Sequence, residues 1–308
     1  MNYFDTYKDL PKDALGCVIV IGNFDGVHLG HQALLHKAHK IAQDHNRPLG
    51  VLTFEPHPRQ LFRPDEPPCR ITPQELKIER LESFGVDYVF SLPFDWDFAS
   101  QSAERFVRDI LIDGLQSYDI VIGYDFKFGQ LRKGNADTII DAGLNVHVVE
   151  EITKTGIDDL SSSNIRQLLR HGRVSEANKA LGWNWKIRGE VVKGDQRGRE
   201  LGYPTANMNL GETIHPAYGV YACMAQVKGE DEWHMGACNI GIRPMFEVEV
   251  AQVETYIFDF DRDIYGDILS VRPVKRLRGE AKFNSLDDLI LQIEKDCNKA
   301  REFLIATS

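Results

Sequence analysis

The stretch GCVIVIGNFDGVHLGHQALLHKAHKIAQDH, residues 16–45, decides the fold of the first half of the chain. Its first six residues form a short apolar run rich in β-branched side chains, which predicts a buried strand. From His31 onward, apolar side chains recur at helical spacing and share one face of a predicted helix: Leu34, Leu35, Ala38, Ile41 and Ala42. A buried strand followed by an amphipathic helix is the repeating unit of an α/β fold.

The same alternation continues to about residue 150. Further strands are predicted over residues 48–54, 87–94, 118–123 and 145–150, and helices near 74–84, 103–115 and 136–142. Strands separated by helices predict a parallel sheet with right-handed crossovers, covered on both faces, as in Rossmann-like domains. An α+β domain is the alternative.

The pattern changes near Gly182. Two short segments, 161–172 and 174–182, read as helices that end in glycine. Consecutive short strands then extend to about Lys275, with the clearest hairpin turn at 228–231, and predict a small antiparallel β-barrel. An amphipathic helix opens at Ser285 and closes the chain. We therefore predict two domains, 1–182 and 183–308.

The composition excludes some classes of function. The 308 residues include 36 lysines and arginines against 46 aspartates and glutamates, a net charge of −10. This argues against a protein that binds nucleic acid regardless of sequence, which needs a basic surface. We expect no membrane helix, because no apolar run approaches roughly 20 residues, and no secretory signal. Five dispersed cysteines without a Cys-x-x-Cys pair predict reduced thiols and a cytoplasmic location. The oligomeric state stays open.

A first candidate site is GNFDGVHLGH, residues 22–31, between the first strand and the first helix. Open parallel sheets bind ligands at this position. The glycines allow a phosphate chain to approach the backbone, and the helix start offers amides to an anion. His28 and His31, three residues apart, could donate hydrogen bonds to charge developing on one phosphorus centre. A structural glycine turn, a zinc-binding pair and a helix-capping histidine are the alternatives.

As a whole, residues 22–31 resemble the histidine-glycine-histidine signature of the nucleotidyltransferase superfamily. These enzymes transfer a nucleotide group from a triphosphate and release pyrophosphate. LSSSNIR, residues 160–166, resembles the downstream phosphate loop of the same superfamily. A serine there would cap a helix whose amides, together with Arg166, hold the leaving phosphates. The alternative is an ordinary serine cap with a surface arginine.

A second candidate site lies at the start of the barrel, in VKGDQRGRELGYPTANM, residues 192–208. The candidates for a loop over phosphates are Gly194, Arg197, Gly198, Arg199 and Gly202. Thr205 and Asn207 offer neutral oxygen donors, which together with substrate phosphates suit Mg²⁺. Taken alone, such a segment is more often a turn with solvated charges.

Glu254 stands among apolar strand residues in AQVETYIFDFD, residues 251–261. Strand alternation places it on one face with Tyr256 and Phe258, and we expect that face to point inward. A carboxylate in this position suits a general base that accepts a proton from a hydroxyl group. A buried ion pair is an equally good explanation.

The order of the motifs resembles one family across residues 16 to about 303. The segments are GNFDGVHLGH, TFEPHP (53–58), GYDFKFG (123–129), LSSSNIR, GDQRGRELGYPTAN (194–207), NIGIRP (239–244), VETYIFDFDRDIYG (253–266) and the final helix. Together they resemble bacterial bifunctional riboflavin kinase/FAD synthetase. The resemblance implies that the barrel phosphorylates riboflavin with ATP to give FMN. The α/β domain would then adenylylate FMN with a second ATP to give FAD and pyrophosphate.

The resemblance also implies roles for single residues. His28 and His31 would stabilise the transition state at the α-phosphate. The ATP-binding candidates of the adenylyltransferase are Gly22, Asn23, Phe24, Asp25, Gly26, Asp125, Ser162, Ser163 and Arg166. In the kinase, Glu254 would be the base, and Thr205 and Asn207 would hold Mg²⁺. Neither step needs a covalent enzyme intermediate.

The flavin-binding candidates are Phe54, His57 and Phe128, each of which could equally belong to the core. After NIGIRP the family usually continues with threonine and phenylalanine, whereas this chain has Met245 and Phe246, a departure that bears on kinase rate or affinity. Two rival functions are a nucleotidyltransferase with a barrel used only for binding, and a flavin-binding protein without catalysis. The PTAN segment with Glu254 argues against the first. Six residues present together argue against the second: His28, His31, Arg166, Thr205, Asn207 and Glu254.

Overall fold

The computed structural model describes residues 1–152, 159–194, 198, 201–245 and 248–307, with backbone alone at 243–245 and 248–250. The chain divides into two compact units. The first comprises Met1–Glu66 and Arg70–Ser162, and the second comprises Pro67–Cys69 and Ser163–Ser308. Two phosphate-loop candidates, Arg197 and Arg199, lie outside the described residues, as do Phe246 and the side chain of Met245.

Six parallel strands form the sheet of the first unit, in the order β1-β4-β3-β2-β5-β6. They are β1 (Asn2–Phe4), β2 (Val18–Ile21), β3 (Leu49–Glu55), β4 (Tyr88–Pro93), β5 (Asp119–Gly123) and β6 (Asn145–Val149). The predicted parallel sheet is confirmed, and β1 is an edge strand that the sequence pattern did not reveal. The strand order changes direction between β2 and β5, which is where open α/β sheets bind ligands.

Helices cover both faces of this sheet. They are α1 (Leu29–Asp44), α2 (Pro58–Phe62), α3 (Gln74–Glu82), α4 (Trp96–Ala99), α5 (Ala103–Arg105), which continues as a π-helix over Phe106–Gly114, and α6 (Ala136–Asp141). Val18 and Val20 of β2 pack with Leu35 of α1. Ile19 and Ile21 point to the opposite face and pack in the cluster that contains the π-helix. The continuous apolar run of β2 therefore serves two cores.

The second unit contains an antiparallel sheet in the order β7-β12-β9-β10-β11-β8. Its strands are β7 (Ile187–Glu190), β8 (Ala206–Asn209), β9 (Gly219–Val227), β10 (His234–Met245), β11 (Val248–Ile257) and β12 (Ile268–Arg278). The edge strands β7 and β8 adjoin, and the amide of Val192 donates to the carbonyl of Asn207 at 2.8 Å. The sheet is thus a nearly closed barrel, as predicted.

Among the described residues, three helices pack in this unit: α7 (Ser162–Arg170), whose first residue still belongs to the first unit, α8 (Val174–Leu181) and α9 (Leu286–Thr307). The predicted closing helix, α9, contributes Ala300 and Leu304 to a cluster with Ala237 and Phe258 of the barrel region. The carbonyl of Leu169 in α7 accepts from the amide of Ala217 at 3.0 Å. Because α7 and α8 belong to the barrel's compact unit, the predicted boundary between residues 182 and 183 stays a prediction.

All five cysteines are free thiols, and four of them are buried. Within the described part of the chain, no helix is both long enough and apolar enough to cross a bilayer.

Candidate active sites

The rings of His28 and His31 stack with their centroids 3.7 Å apart at an interplanar angle of 25°. His28 directly precedes α1, and its carbonyl accepts from the amide of Gln32 at 2.9 Å. Its side chain does not cap the helix among the described residues. Gly30 allows the stacking, since a Cβ there would lie 3.1 Å from the His28 ring. Two imidazoles therefore meet at a helix start, where backbone amides favour an anion.

The zinc alternative finds no support among the described residues. No group of three or more histidine, cysteine, aspartate or glutamate side chains in that part of the chain could hold a metal ion. A stable zinc site needs three or four such ligands.

The loop before the histidines has an unusual backbone. Its φ angles are +51° at Phe24, +86° at Gly26 and +39° at Val27, a conformation that only glycine adopts without strain. Phe24 and Asp25 are both buried. The Asp25 carboxylate accepts from the Thr72 amide at 2.9 Å, and the Thr72 hydroxyl accepts from the Gly26 amide at 2.9 Å. The side chains of Phe24 and Asp25, two predicted ATP-binding residues, are therefore buried within the protein, and Asp25 supports the conformation of the loop.

A cavity of about 840 Å³ opens beside Gly22 and Asn23, with the predicted Asp125 on its wall. Eight aromatic side chains line it: Phe54, Phe62, Phe94, Trp96, Phe98, Phe106, Phe126 and Phe128. Their rings contact one another, with centroids 5.4 Å apart for Phe54–Phe98 and 5.1 Å for Phe106–Phe128. The volume is that of a small-molecule site, and the wall suits a flat ring system. The flavin candidates Phe54 and Phe128 both lie on this wall.

The third flavin candidate, His57, has a different structural position. Its Nδ1 accepts from the amide of Arg59 at 3.1 Å, and its own amide donates to the Gln60 side chain at 3.2 Å. This pair of hydrogen bonds is a capping box at the start of α2. His57 therefore fixes the helix that carries Phe62 to the cavity.

A buried set of charges lies at the end of β3, and sequence analysis missed it. Arg70 and Lys77 are 3% and 4% exposed. Arg70 binds both carboxylate oxygens of Glu55, and the Lys77 ammonium donates to the Thr53 hydroxyl at 3.2 Å. Burial lowers the pKa of Lys77, and the charges of Glu55 and Asp25 oppose that shift. The sequence feature that could have revealed these charges is a basic residue in α3 at the helical spacing of its apolar residues.

The downstream serine-arginine segment divides between the two units. Ser162 belongs to the first unit, where its hydroxyl donates to the Asp25 carbonyl at 2.8 Å. Ser163 is exposed in the first turn of α7, in the second unit. Arg166 is 5% exposed there, and its Nε donates to the carbonyl of Cys69 at 2.7 Å. The surface arginine of the alternative interpretation is thus wrong, because Arg166 is buried.

In the second unit, Glu254 of β11 lies directly opposite Asn207 of β8 in the antiparallel register. Such pairs bring their Cβ atoms within about 5.5 Å. Glu254 is half-buried, whereas Val253 and Thr255 on the alternate face are fully buried. The prediction that the face of Glu254 points inward needs correction. Phe258, on the face of Glu254, packs with α9, and the side chains on the alternate face are the more deeply buried.

Two cavities meet at Thr205, which lines both. One, of about 390 Å³, combines Glu254 and Asn239 with apolar walls that include Tyr256 and Phe283. The other, of about 270 Å³, is lined by polar side chains such as Asn207, Asp261 and Asp263 and by apolar ones such as Val191 and Phe260. The unit therefore offers an apolar chamber with a carboxylate, next to a chamber of mixed polar and apolar character.

Steric contacts and backbone conformation explain why glycine occupies three positions of the second motif. A Cβ at Gly194 would lie 2.7 Å from the Asn207 amide nitrogen, and one at Gly198 would lie 2.4 Å from the carbonyl oxygen of Tyr203. Gly202 has a φ of +83°, which favours glycine. The amide group of Asn207 donates to the Thr205 carbonyl at 3.0 Å. Gly194 thus packs close to Asn207, one of the two predicted magnesium ligands.

The larger barrel cavity also has polar residues that the motifs did not reveal. Arg278 pairs with Asp296 of α9, with Nε 2.8 Å from the carboxylate, and both line the cavity. Cys297 lies beside them, and burial together with the charge of Asp296 raises the pKa of its thiol to about 11. It is therefore a neutral thiol at physiological pH. The sequence feature that could have revealed this group is an aspartate at the helical spacing of the apolar residues in the closing helix.

Comparison with known proteins agrees with both halves. The FAD synthetase family model matches residues 10–164, and the riboflavin kinase model matches residues 181–304. A protein of Bacillus subtilis named bifunctional riboflavin kinase/FMN adenylyltransferase is 40% identical over 299 residues, covering 94% of this chain and 93% of its own. The protein of that name from Escherichia coli K12 is 39% identical over 291 residues, covering 94% and 93%.

A solved structure is similar along the same length. It is named a macrolide-efflux protein from Streptococcus pneumoniae, with a TM-score of 0.85, 34% identity and 96% coverage of each chain. Two enzymatic domain families in this order, and relatives at this identity over nearly the whole chain, confirm the resemblance found in the motifs. The chain therefore belongs to the bifunctional riboflavin kinase/FMN adenylyltransferase family.

Proposed function

We propose that the second unit transfers a phosphoryl group from ATP to riboflavin, and that the first unit transfers an adenylyl group from a second ATP to the FMN so formed. The observation that carries the proposal is that each predicted reactive group lies on the wall of a substrate-sized cavity or in the segment that borders one. Glu254 lines an apolar cavity that adjoins the mixed polar and apolar cavity of Thr205 and Asn207. The loop residue Gly22, in the segment that leads to the stacked histidines, borders the aromatic cavity.

In the kinase step, Glu254 accepts the proton of the terminal ribityl hydroxyl. That oxygen attacks the γ-phosphorus of ATP, the bond to the β-phosphate oxygen breaks, and ADP leaves. The apolar wall around Glu254 suits the flavin ring, and the adjoining cavity suits the nucleotide. Because Thr205 lines both cavities, we place the contact between the two substrates beside it.

Magnesium fits the cavity of about 270 Å³ by its donor set. Thr205, Asn207, Asp261 and Asp263 all line this cavity and carry side-chain oxygen atoms, and Mg²⁺ binds oxygen ligands while it keeps waters and substrate phosphates. Thr205 and Asn207 would hold the ion. When bound, it neutralises charge on the transferring phosphates.

In the adenylyl transfer, a phosphate oxygen of FMN attacks the α-phosphorus of ATP, and pyrophosphate leaves. His28 and His31 donate hydrogen bonds to the charge that develops on the non-bridging oxygens. The aromatic walls with Phe54 and Phe128 stack on the flavin. In this scheme ATP, riboflavin and FMN are the small-molecule partners. We place the protein in the cytoplasm, whose reducing conditions account for the five free thiols.

Incubation with riboflavin, ATP and Mg²⁺, with FMN and FAD separated by chromatography, tests the proposal. We expect FMN to appear first and FAD to follow. FAD formed from supplied FMN without any product from riboflavin would leave only the nucleotidyltransferase alternative. The absence of both products would favour the non-catalytic flavin-binding alternative.

A further inference from the structure

Lys77 of α3 places its ammonium group inside the first unit, although no sequence motif singled it out. The side chain is buried, its Nζ donates to the Thr53 hydroxyl at 3.2 Å, and it lies 3.8 Å from the Glu55 carboxylate. Thr53 is fully buried and donates to the carbonyl of Asn23 at 3.2 Å. Two consecutive hydrogen bonds thus connect a buried positive charge to the loop that lines the aromatic cavity.

Fold stability gives a poor account of this lysine. Taking an ammonium group out of water is costly, and a buried ion pair is often no more stable than apolar side chains of similar volume. Glu55 is shared, because Arg70 binds both of its oxygens. Asp25, the other carboxylate that acts on Lys77, is bound by the backbone amides of Ile71 and Thr72. An apolar side chain would fill the same space without the cost of desolvation.

The loop gives a better account. The residue after Asn23, Phe24, has a φ of +51°, a strained conformation that persists only where neighbouring groups impose it. A hydroxyl can rotate, and the hydrogen bond from Lys77 occupies one lone pair of the Thr53 oxygen. The hydroxyl hydrogen is then directed to the Asn23 carbonyl, and each bond in such a chain polarises the next. Lys77 thereby fixes the peptide group at which the loop begins.

We propose that Lys77 is a positioning residue for adenylyl transfer, acting through Thr53 on Asn23. The proposal rests on the adenylyl transfer proposed above. Lys77 does not contact substrate in this scheme. It holds the loop so that the nucleotide phosphates and the histidines meet in a productive arrangement. A displacement of about 1 Å in such a site costs on the order of 100-fold in rate.

The test uses the full chain with supplied FMN, ATP and Mg²⁺. We expect Lys77→Met and Thr53→Val to lower kcat for FAD formation by about 10- to 100-fold, with smaller changes in KM. Thr53→Ser keeps the hydroxyl and should restore most of the rate lost in Thr53→Val. Lys37→Met, which removes an exposed lysine of α1, is the matched control. Thermal unfolding followed by circular dichroism on the same samples reports whether the first unit is folded, and FMN formation from riboflavin reports the second unit.

A double variant, Lys77→Met with Thr53→Val, separates a relay from two independent effects. If Lys77 acts through Thr53, the double variant should be no slower than the slower single variant. Multiplicative losses, a kcat for Lys77→Met within about threefold of the parent, or equal rates for Thr53→Ser and Thr53→Val would each overturn the inference. If Lys77→Met does not fold, the comparison of Thr53→Val with Thr53→Ser decides. An unaltered chain that makes no FAD overturns the adenylyl transfer itself.

Discussion

Glu254 and Asn207, on β11 and β8, face each other across neighbouring antiparallel strands of the barrel. The pairing sets a candidate base beside a candidate metal ligand, each on its own cavity wall. Because both lie on strands held by backbone hydrogen bonds, their separation is fixed by register rather than by a loop.

Glu254→Gln should abolish the kinase step while sparing the conversion of supplied FMN to FAD. Glutamine keeps the shape of the side chain but cannot take up a proton at this stage, so a loss of about 10²- to 10⁴-fold in kcat is expected. Steady-state kinetics with riboflavin measures it, and FAD formation from supplied FMN by the same protein preparation is the control. A kinase rate within a few-fold of the parent would exclude the role of base.

His31→Ala should stop FAD synthesis and let FMN accumulate. A donor to the transition-state charge is commonly worth about 10²- to 10³-fold in rate. His36→Ala, on the exposed side of the same helix, is the matched control and should leave both rates unchanged. The assignment of one reaction to each unit fails if His31→Ala lowers both products equally while the fold is intact.

Trp96→Ala should weaken the binding of FMN in the adenylyl step. Trp96 is 64% exposed at the cavity wall, with its ring 5.6 Å from that of Phe62. The loss of one aromatic contact of about 0.5–1.5 kcal/mol corresponds to a KM roughly 2- to 12-fold higher for FMN. Tyr3→Ala, an exposed aromatic residue on β1, should leave KM unchanged. An unaltered KM in Trp96→Ala would place the flavin elsewhere.

The first unit should lose stability in alkaline solution through Cys17. Burial, with added repulsion from Asp87 and Asp13, raises the pKa of its thiol from 9.0 to about 12. Below the unfolded pKa both states hold the proton, and above it the unfolded chain releases a proton that the folded chain retains. The free energy of unfolding therefore falls as pH rises from about 9 towards 12, by about 1.4 kcal/mol per pH unit.

Cys17→Ser removes this titration while retaining a donor for the Ala14 carbonyl, which accepts from the thiol at 3.3 Å. Urea unfolding at about pH 8 and about pH 10.5 compares the two proteins. We expect the parent to lose about 2 kcal/mol more than the variant over that interval. Equal losses would assign the alkaline instability to other groups.

A fragment of residues 163–308 should be more stable than one of residues 183–308. The α7 and α8 helices bury Ile165, Leu169, Ala177 and Leu181, and the hydroxyl of Ser175 donates to the Val274 carbonyl at 3.1 Å. Removing them exposes the surface they cover. Thermal unfolding and kinase activity of both fragments measure the difference. Equal stability would support the boundary predicted between residues 182 and 183.

The fold class could be predicted from the sequence alone, because the periodicity of apolar residues is local. The run at Val18–Ile21 and the helical spacing from Leu34 predicted a strand and a helix that the structure contains. Motif order identified the family. The sequence did not predict the short helices α2 and α4 or the strand β8, because four or five residues carry too little periodicity to distinguish a helix or a strand from a turn.

Which residues meet depends on the tertiary structure. His57, itself a predicted flavin contact, caps a helix, while Trp96 and Phe98, which the sequence did not single out, line the aromatic cavity. The contact of Lys77 with Thr53 and the register of Glu254 with Asn207 join distant segments. Local sequence specifies backbone periodicity, whereas such contacts depend on how sheets twist and helices pack, and these are properties of the whole fold.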